Sequence, residues 1–299
     1  MYSHPFRYHR AGSLKEAVGL LSDLGADARP LAGGQSLIPL MKLRLSRPSD
    51  LVDLNHIPGI SQIEESAGAI HFGALARHTD IEHSDIAAVI PSIHDCAAGI
   101  ADVQVRNQGT IGGSLAEADP SGDWPAVLRT LETTVKCFGP KGERTIALEE
   151  FITDAYTTVL GHDELVTGVT VQIPPPNSGG AYVAFKRSAP VYPTASAGAQ
   201  LTLADKNVCE DVRIVLGCVG LTAIRASEAE SELRGKGVTP KAIEATAEAA
   251  MAAAEPQADM RGSVEYKRAL VGALVKRSLV IAMRRAHGER VEAGHEYVG

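Results

Sequence analysis

Two short segments carry the residue types that gather anions. One is Gly33-Gly34-Gln35-Ser36. The other is Gly112-Gly113-Ser114, inside the longer run Asn107-Gln108-Gly109-Thr110-Ile111-Gly112-Gly113-Ser114. Paired glycines admit positive φ and carry no Cβ to block a close approach. Successive backbone N–H groups can then converge on an anion, and the serine adds a hydroxyl donor. Gln35 and Thr110 supply further donors. One such loop binds a phosphate weakly or is simply a turn. Two of them, about eighty residues apart, suit a diphosphate clamped between two subdomains.

Other chemistries leave no trace. Neither segment is G-x-x-x-x-G-K-[S/T] or G-x-G-x-x-G, which disfavours a P-loop nucleotidase and a Rossmann dehydrogenase. There is no H-E-x-x-H and no G-x-S-x-G. His78 and His83 stand five apart, the wrong spacing for one helix face, and read as surface or structural histidines. The cysteines are Cys96, Cys137, Cys209 and Cys218. They form no C-x-x-C pair and no zinc spacing, so no metal centre or iron–sulfur cluster is expected on this chain. They read as buried or idle thiols in a reducing compartment. With no acid–base or nucleophile set, an enzyme built on this chain would draw its chemistry from a cofactor.

The bulk composition agrees. The chain has 299 residues, 44% hydrophobic and 22% charged, which suits a globular protein. At about 150 residues per domain, roughly two domains are expected, with a core large enough to need no staples. A net charge of −7 and 4% aromatics argue against a nucleic-acid binder. No signal pattern opens the sequence, and no apolar run reaches the about 18 residues of a membrane span. The sequence by itself points to the cytoplasm.

The elements that must position the two segments are legible in part. Ser13 and Glu16 form a capping box ahead of a helix on Leu14, Ala17, Val18 and Leu21, closed by Gly25. A strand over 28–31, a helix over 37–45 and a strand over 51–54 complete a β/α unit of about sixty residues. Strands are expected over 70–76 and 164–173, and a hairpin over 134–138 and 144–147. Thr79 is an expected N-cap for a helix over 80–83, and a helical pattern covers 86–100. Asp123 is expected to cap a helix through about Leu131, with Pro125 in its first turn. The run Pro174-Pro175-Pro176-Asn177-Ser178-Gly179-Gly180 marks a boundary that neither a helix nor a central strand should cross. Beyond it, strands over 182–186, 197–203 and 212–219 precede helices over 227–233, 240–254 and 264–287. A small antiparallel sheet backed by helices follows from that order. The polar tail after Gly288 is expected to fray.

Two stretches resemble a known family. Leu31-Ala32-Gly33-Gly34-Gln35-Ser36-Leu37-Ile38-Pro39-Leu40-Met41-Lys42 is similar to the first flavin-binding segment of molybdenum hydroxylase medium subunits. Arg106-Asn107-Gln108-Gly109-Thr110-Ile111-Gly112-Gly113-Ser114, with Ala118-Asp119-Pro120 and Asp123 after it, is similar to the second. The family is the FAD-binding medium subunit of the xanthine dehydrogenase and carbon monoxide dehydrogenase type, and the resemblance spans essentially the whole chain. It implies an α+β architecture: a two-subdomain FAD-binding fold of the PCMH (vanillyl-alcohol-oxidase) type, then a small antiparallel-sheet-plus-helices domain. The subdomains would be residues 1–60 and 61–176, the last domain 177–288, and the tail 289–299.

The resemblance also implies roles for residues. Ala32, Gly33, Gly34, Gln35 and Ser36 would hold the FAD diphosphate. Thr110, Gly113 and Ser114 would meet the diphosphate and ribityl from the other side. Asp123 would accept from the adenosine part, Val166 would lie beside the adenine, and Lys186 would reach the cofactor. Tyr192 falls where a tyrosine lies near the isoalloxazine, although Ser188-Ala189-Pro190-Val191-Tyr192-Pro193 departs from the usual glycine–aspartate before it. The implied partners are a molybdenum-cofactor large subunit and a small subunit with [2Fe–2S] clusters, in a heterotrimer or a dimer of heterotrimers. This chain would take electrons from the clusters onto FAD and pass them to an external acceptor. No cysteine-rich insertion for a further cluster is present in the sequence. A stand-alone flavin oxidase of the same fold, or a non-redox nucleotide-binding or assembly protein, are the other readings.

Overall fold

Three sheets organise the chain in the computed structural model, which describes residues 2–85, 89–294, 296 and 297. The first is parallel, in the order β1-β3-β2: β1 (Arg7–Arg10), β2 (Ala28–Leu31) and β3 (Asp50–Asp53). Between them run α1 (Leu14–Leu24) and α2 (Leu37–Lys42). The capping box forms as expected: the Ser13 hydroxyl accepts from the Glu16 amide at 3.1 Å, and Glu16 accepts from the Gly12 amide at 2.8 Å. Gly25 closes α1 at φ +73°. Pro30 is tolerated because β2 is an edge strand. Strand β1 was not foreseen, since Arg-Tyr-His-Arg has no apolar alternation.

The second sheet is antiparallel, order β4-β5-β10-β6-β7. Its strands are β4 (Ile63–Ser66), β5 (Ala69–Gly73), β6 (Thr133–Gly139), β7 (Gly142–Ala147) and β10 (Leu165–Gln172). The hairpin β6–β7 and the strands β5 and β10 follow the sequence reading; β4, mostly exposed, was missed. Helices α3 (His78–Glu82), α4 (Pro91–Gly99), α5 (Val103–Gln108), α6 (Ile111–Glu117) and α7 (Asp123–Leu128) pack over it, with α8 (Leu148–Phe151) and the ribbon β8 (Ile152–Asp154) and β9 (Thr157–Thr158) at one side. Of the helix expected over 86–100, residues 86–88 lie outside the described residues, and α4 begins at Pro91. Two caps are corrected. Arg77, not Thr79, is the N-cap of α3, and Gly122, not Asp123, that of α7. The Asp123 carboxylate is engaged elsewhere, accepting the Tyr182 hydroxyl at 2.7 Å.

The third sheet, order β14-β13-β12-β11-β15, is antiparallel through β11 (Ser178–Lys186), β12 (Ala195–Ala204), β13 (Val208–Gly217) and β14 (Ile224–Arg225), with β15 (Glu296–Tyr297) parallel at its edge. Helices α9 (Ser227–Leu233), α10 (Pro240–Ala253) and α11 (Val264–Ala286) cover one face, close to the expected spans. The other face meets α4 and α7. Strand β11 shows the division: Ala181 and Val183 belong to the core under α10 and α11, and Tyr182 and Ala184 to the core under α4 and α7. Burial on both faces suits its near-continuous apolar run.

Gly179 and Gly180 are not part of the boundary; both lie in β11. A Cβ on Gly179 would strike the Ala282 carbonyl oxygen and lie 2.9 Å from the Arg285 carbonyl carbon. Glycine is there so that α11 can lie on the strand. The tail is likewise tied back rather than frayed. Arg285 and Arg277 donate to the carbonyls of Val291 and Gly294, and β15 pairs with β11. Among the described residues no helix is long and apolar enough to cross a membrane. All four cysteines are free.

Candidate functional site

A cleft of about 550 Å³ opens between the first two sheets and the start of the third, a size suited to a nucleotide-sized ligand. All twelve site residues expected from sequence line it. Ala32 to Ser36 form one wall; Thr110, Gly113 and Ser114 another; Asp123, Val166, Lys186 and Tyr192 complete it.

The two glycine segments touch directly. A Cβ on Gly33 would fall onto the Gln108 carbonyl oxygen, 2.8 Å from its carbon and 2.9 Å from the Gly109 Cα. A polar relay binds the segments from behind. The Asn55 side-chain amide donates to the Ala32 carbonyl at 2.9 Å and to Asp53 at 2.6 Å. Arg77 donates to Asn55 Oδ1 at 2.5 Å and to the Gln108 carbonyl. Burial opposes ionisation of Asp53, but the Tyr8 hydroxyl and Asn55 hold its carboxyl below the usual range. Sequence reasoning missed Asn55 and Arg77, which carry no motif and act only across the fold.

The two segments do not share one chemistry. Among the described residues, none of the amides of Gly33, Gly34, Gln35 and Ser36 donates to a protein acceptor. Four successive donors are therefore open at the first wall, and Gly34 there takes φ +70°. At the second wall the amides are committed. Gly112 donates to the Ala74 carbonyl at 2.9 Å, Gly113 to the Thr110 hydroxyl at 3.1 Å, and Ser114 to the Thr110 carbonyl at 3.0 Å. This run is the capped first turn of α6 rather than a loop. Gly112 lacks a side chain because a Cβ would meet that of Ala74 at 2.5 Å. What the second wall has to offer a ligand is hydroxyl, from Ser114 and Thr110.

Beneath the cleft lies a buried pair. Lys186 is 1% exposed and donates to the Gly99 carbonyl at 2.6 Å, with Asp123 at 3.6 Å. A solvated surface lysine is thereby excluded. Val166 sits beside a bulge at Thr167, whose carbonyl accepts from the Ala74 amide at 3.1 Å. At the mouth, Tyr192 and Tyr156 both engage Asp119; burial and that carboxylate raise both phenols. Arg261 lies 6.0 Å from the Tyr192 ring centre, within cation–π range. The thiols are inert by environment: burial pushes Cys137 up to about 11, Cys209 and Cys218 up to about 12, and Cys96 well above its ordinary value.

The chain matches known proteins over nearly its whole length. The family described as the FAD binding domain in molybdopterin dehydrogenase covers residues 4–176. The CO dehydrogenase flavoprotein C-terminal domain covers 180–282. The chain is 39% identical to the carbon monoxide dehydrogenase medium chain of Hydrogenophaga pseudoflava, over 94% of this chain and 98% of that one. It is 38% identical to subunit alpha of the 6-hydroxypseudooxynicotine dehydrogenase complex of Paenarthrobacter nicotinovorans, over 97% and 98%. A solved structure of carbon monoxide dehydrogenase from Hydrogenophaga pseudoflava, lacking the Mo-pyranopterin moiety of the molybdenum cofactor, superposes with a TM-score of 0.92, covering 95% of this chain and 99% of that chain.

Proposed function

The chain belongs to the FAD-binding medium subunits of the molybdopterin dehydrogenases, and from that premise we propose that it moves electrons from [2Fe–2S] clusters of a partner subunit to an external acceptor. FAD is its cofactor and oxidoreduction its class of chemistry. The observation that carries the proposal is the row of four amides, Gly33 to Ser36, which among the described residues have no protein acceptor, in a cleft also lined by side chains such as Asp123, Lys186 and Tyr192. When bound, FAD supplies the redox chemistry that these side chains lack.

The chain's part is to hold and orient. The amides of Gly33–Ser36 would take the diphosphate as neutral dipoles, with no lysine or arginine needed at the phosphates. Thr110 and Ser114 would add hydroxyl contacts from the opposite wall, and the bare backbone of Gly113 leaves room for them. Asp123 would meet the adenosine side, Lys186 beside it would reach the cofactor, Val166 would flank the adenine, and Tyr192 would lie near the isoalloxazine. The low exposure of Asp123, Val166 and Lys186 supports a dry seat for that part of the ligand.

The assembly belongs to the same reading. The medium chain and complex subunit among the relatives come from multi-subunit enzymes. A molybdenum-cofactor large subunit and a [2Fe–2S] small subunit, in a heterotrimer or its dimer, would complete this one. Residues 1–60 and 61–176 would form the two FAD subdomains and 177–288 the third unit. Four free thiols suit a reducing cytoplasm.

The test is the visible spectrum of the purified complex. Flavin bands, FAD released on denaturation, and bleaching of those bands by substrate only when the other two subunits are present support the proposal. A flavin that is reduced by substrate in the isolated chain would contradict it.

A further inference from the structure

His78 lines the same cleft and takes no part in the amide cradle. The residue is 5% exposed. Nδ1 accepts the indole N–H of Trp124 at 3.1 Å. An indole nitrogen can only donate, so Nδ1 is unprotonated and the ring proton sits on Nε2. Burial first, and then the charges of Arg77 and Arg106, push the imidazole down to about 3, so the ring is neutral. Among the described residues the ring's one hydrogen bond is that to Trp124, and Nε2 has no protein acceptor.

The missing side chain of Gly109 lets its backbone lie close against the imidazole edge. A Cβ on Gly109 would lie 2.6 Å from Nε2 and 2.8 Å from Cδ2. Gly109 leads directly into the second wall, where the amides of Gly112, Gly113 and Ser114 are already committed. The Nε2–H is thus an unspent donor on that side of the cleft, locked in one tautomer by a residue 46 positions away.

We infer that His78 is a further ligand of the bound dinucleotide, donating its Nε2–H to an acceptor oxygen of FAD beside Gly109; this rests on the reading of the cleft as the FAD site. The donor is neutral and its tautomer fixed, so it gives a directed hydrogen bond without a change of protonation on binding. A histidine that served only the core would spend Nδ1 on Trp124 and leave Nε2 indifferent to FAD.

The experiment is a titration of the FAD-stripped full chain with FAD, followed by ¹⁵N NMR of labelled histidines and by the dissociation constant. The Nε2 of His78 is expected to carry its proton from about pH 5 to about pH 9, and its resonance to move as FAD is added. His78→Phe is expected to weaken FAD binding about ten- to hundredfold, the range for a hydrogen bond to a charged acceptor. His78→Gln, which can accept from Trp124 and still donate, should restore most of it. The NMR titration of the wild-type chain serves if the phenylalanine variant does not fold. An Nε2 resonance unmoved by FAD, or unchanged FAD affinity in folded His78→Phe, overturns the inference alone. A wild-type chain that takes up no FAD overturns the reading of the cleft and the inference with it.

Discussion

Gly33 and Gln108 meet backbone to backbone: any side chain at 33 would occupy the Gln108 carbonyl. The glycine is required by the join between the two walls before any ligand arrives. Gly33→Val should therefore destabilise the folded chain by about 2 kcal/mol, in the range for overpacking, as well as empty it of FAD. A melting curve and the flavin content of the same preparation check both. Normal melting with full flavin would show that the walls are not joined in this way.

Arg77 holds that join from outside the cleft, through Asn55 on one wall and the Gln108 carbonyl on the other. Arg77→Ala should cost about 1.5–3 kcal/mol, the range for hydrogen bonds to a charged group, and weaken FAD without touching it. Arg77→Lys should rescue little, because one ammonium cannot span two acceptors as a planar fork does. Chemical denaturation of the three proteins, with FAD titrations, tests the ordering.

Acid should find His78. Its folded value, about 3, lies below the ordinary 6.5, so the folded chain binds fewer protons than the unfolded chain in that window. The stability tied to the neutral ring is fully present above about 6.5 and is lost as the pH falls toward 3, at up to about 1.4 kcal/mol per pH unit. His78→Gln should flatten that part of the acid limb. Urea midpoints at a series of pH values read the difference, and parallel slopes for the two proteins would count against it.

The sequence disclosed much of what is local, although it placed the caps of α3 and α7 one or two residues late. The Ser13 cap, the β6–β7 hairpin and the three last helices follow from capping residues, turn glycines and periodicity within a few residues. Nine of the twelve cleft residues came from the two long motif stretches, and Val166, Lys186 and Tyr192 from the family resemblance those stretches carry. What it concealed depends on distant partners. Strand β1 is defined by pairing with β3, and Gly179 and Gly180 read as a break because α11 and the side chain of Gln200 were not yet against them. The second glycine segment read as an amide cradle because the acceptors that use its amides, at Ala74 and Thr110, could not be assigned from spacing. Asn55, Arg77 and His78 bear on the site only through contacts made in space.

Asp95 and Arg285 join α4 to α11 by a two-pronged bond, 2.6 and 2.9 Å, with both side chains nearly buried. Arg285 also donates to the Gly180 carbonyl at 2.7 Å. Burial raises the Asp95 carboxyl even against this partner, a sign of how strongly the site resists a lone charge. Asp95→Leu leaves the guanidinium buried without its carboxylate and should cost about 3–5 kcal/mol. A second, apolar change, Arg285→Met, should recover much of that loss. Equal losses that simply add would show that the pair is not coupled.

Lys186 and Asp123 pose the sharper question, because they are both structural partners and expected ligands. Lys186→Met strands Asp123 beside the Tyr182 hydroxyl without its one ion-pair partner among the described residues and should cost about 3–5 kcal/mol. Asp123→Asn in the same chain removes the stranded charge, so the double variant should melt closer to wild type than Lys186→Met does. FAD affinity should behave differently. If both side chains reach the cofactor, the double variant regains stability but binds FAD no better than the single one. The two readouts therefore separate a pair that only braces the cleft floor from one that also holds the ligand, and recovery of both together would assign it to bracing.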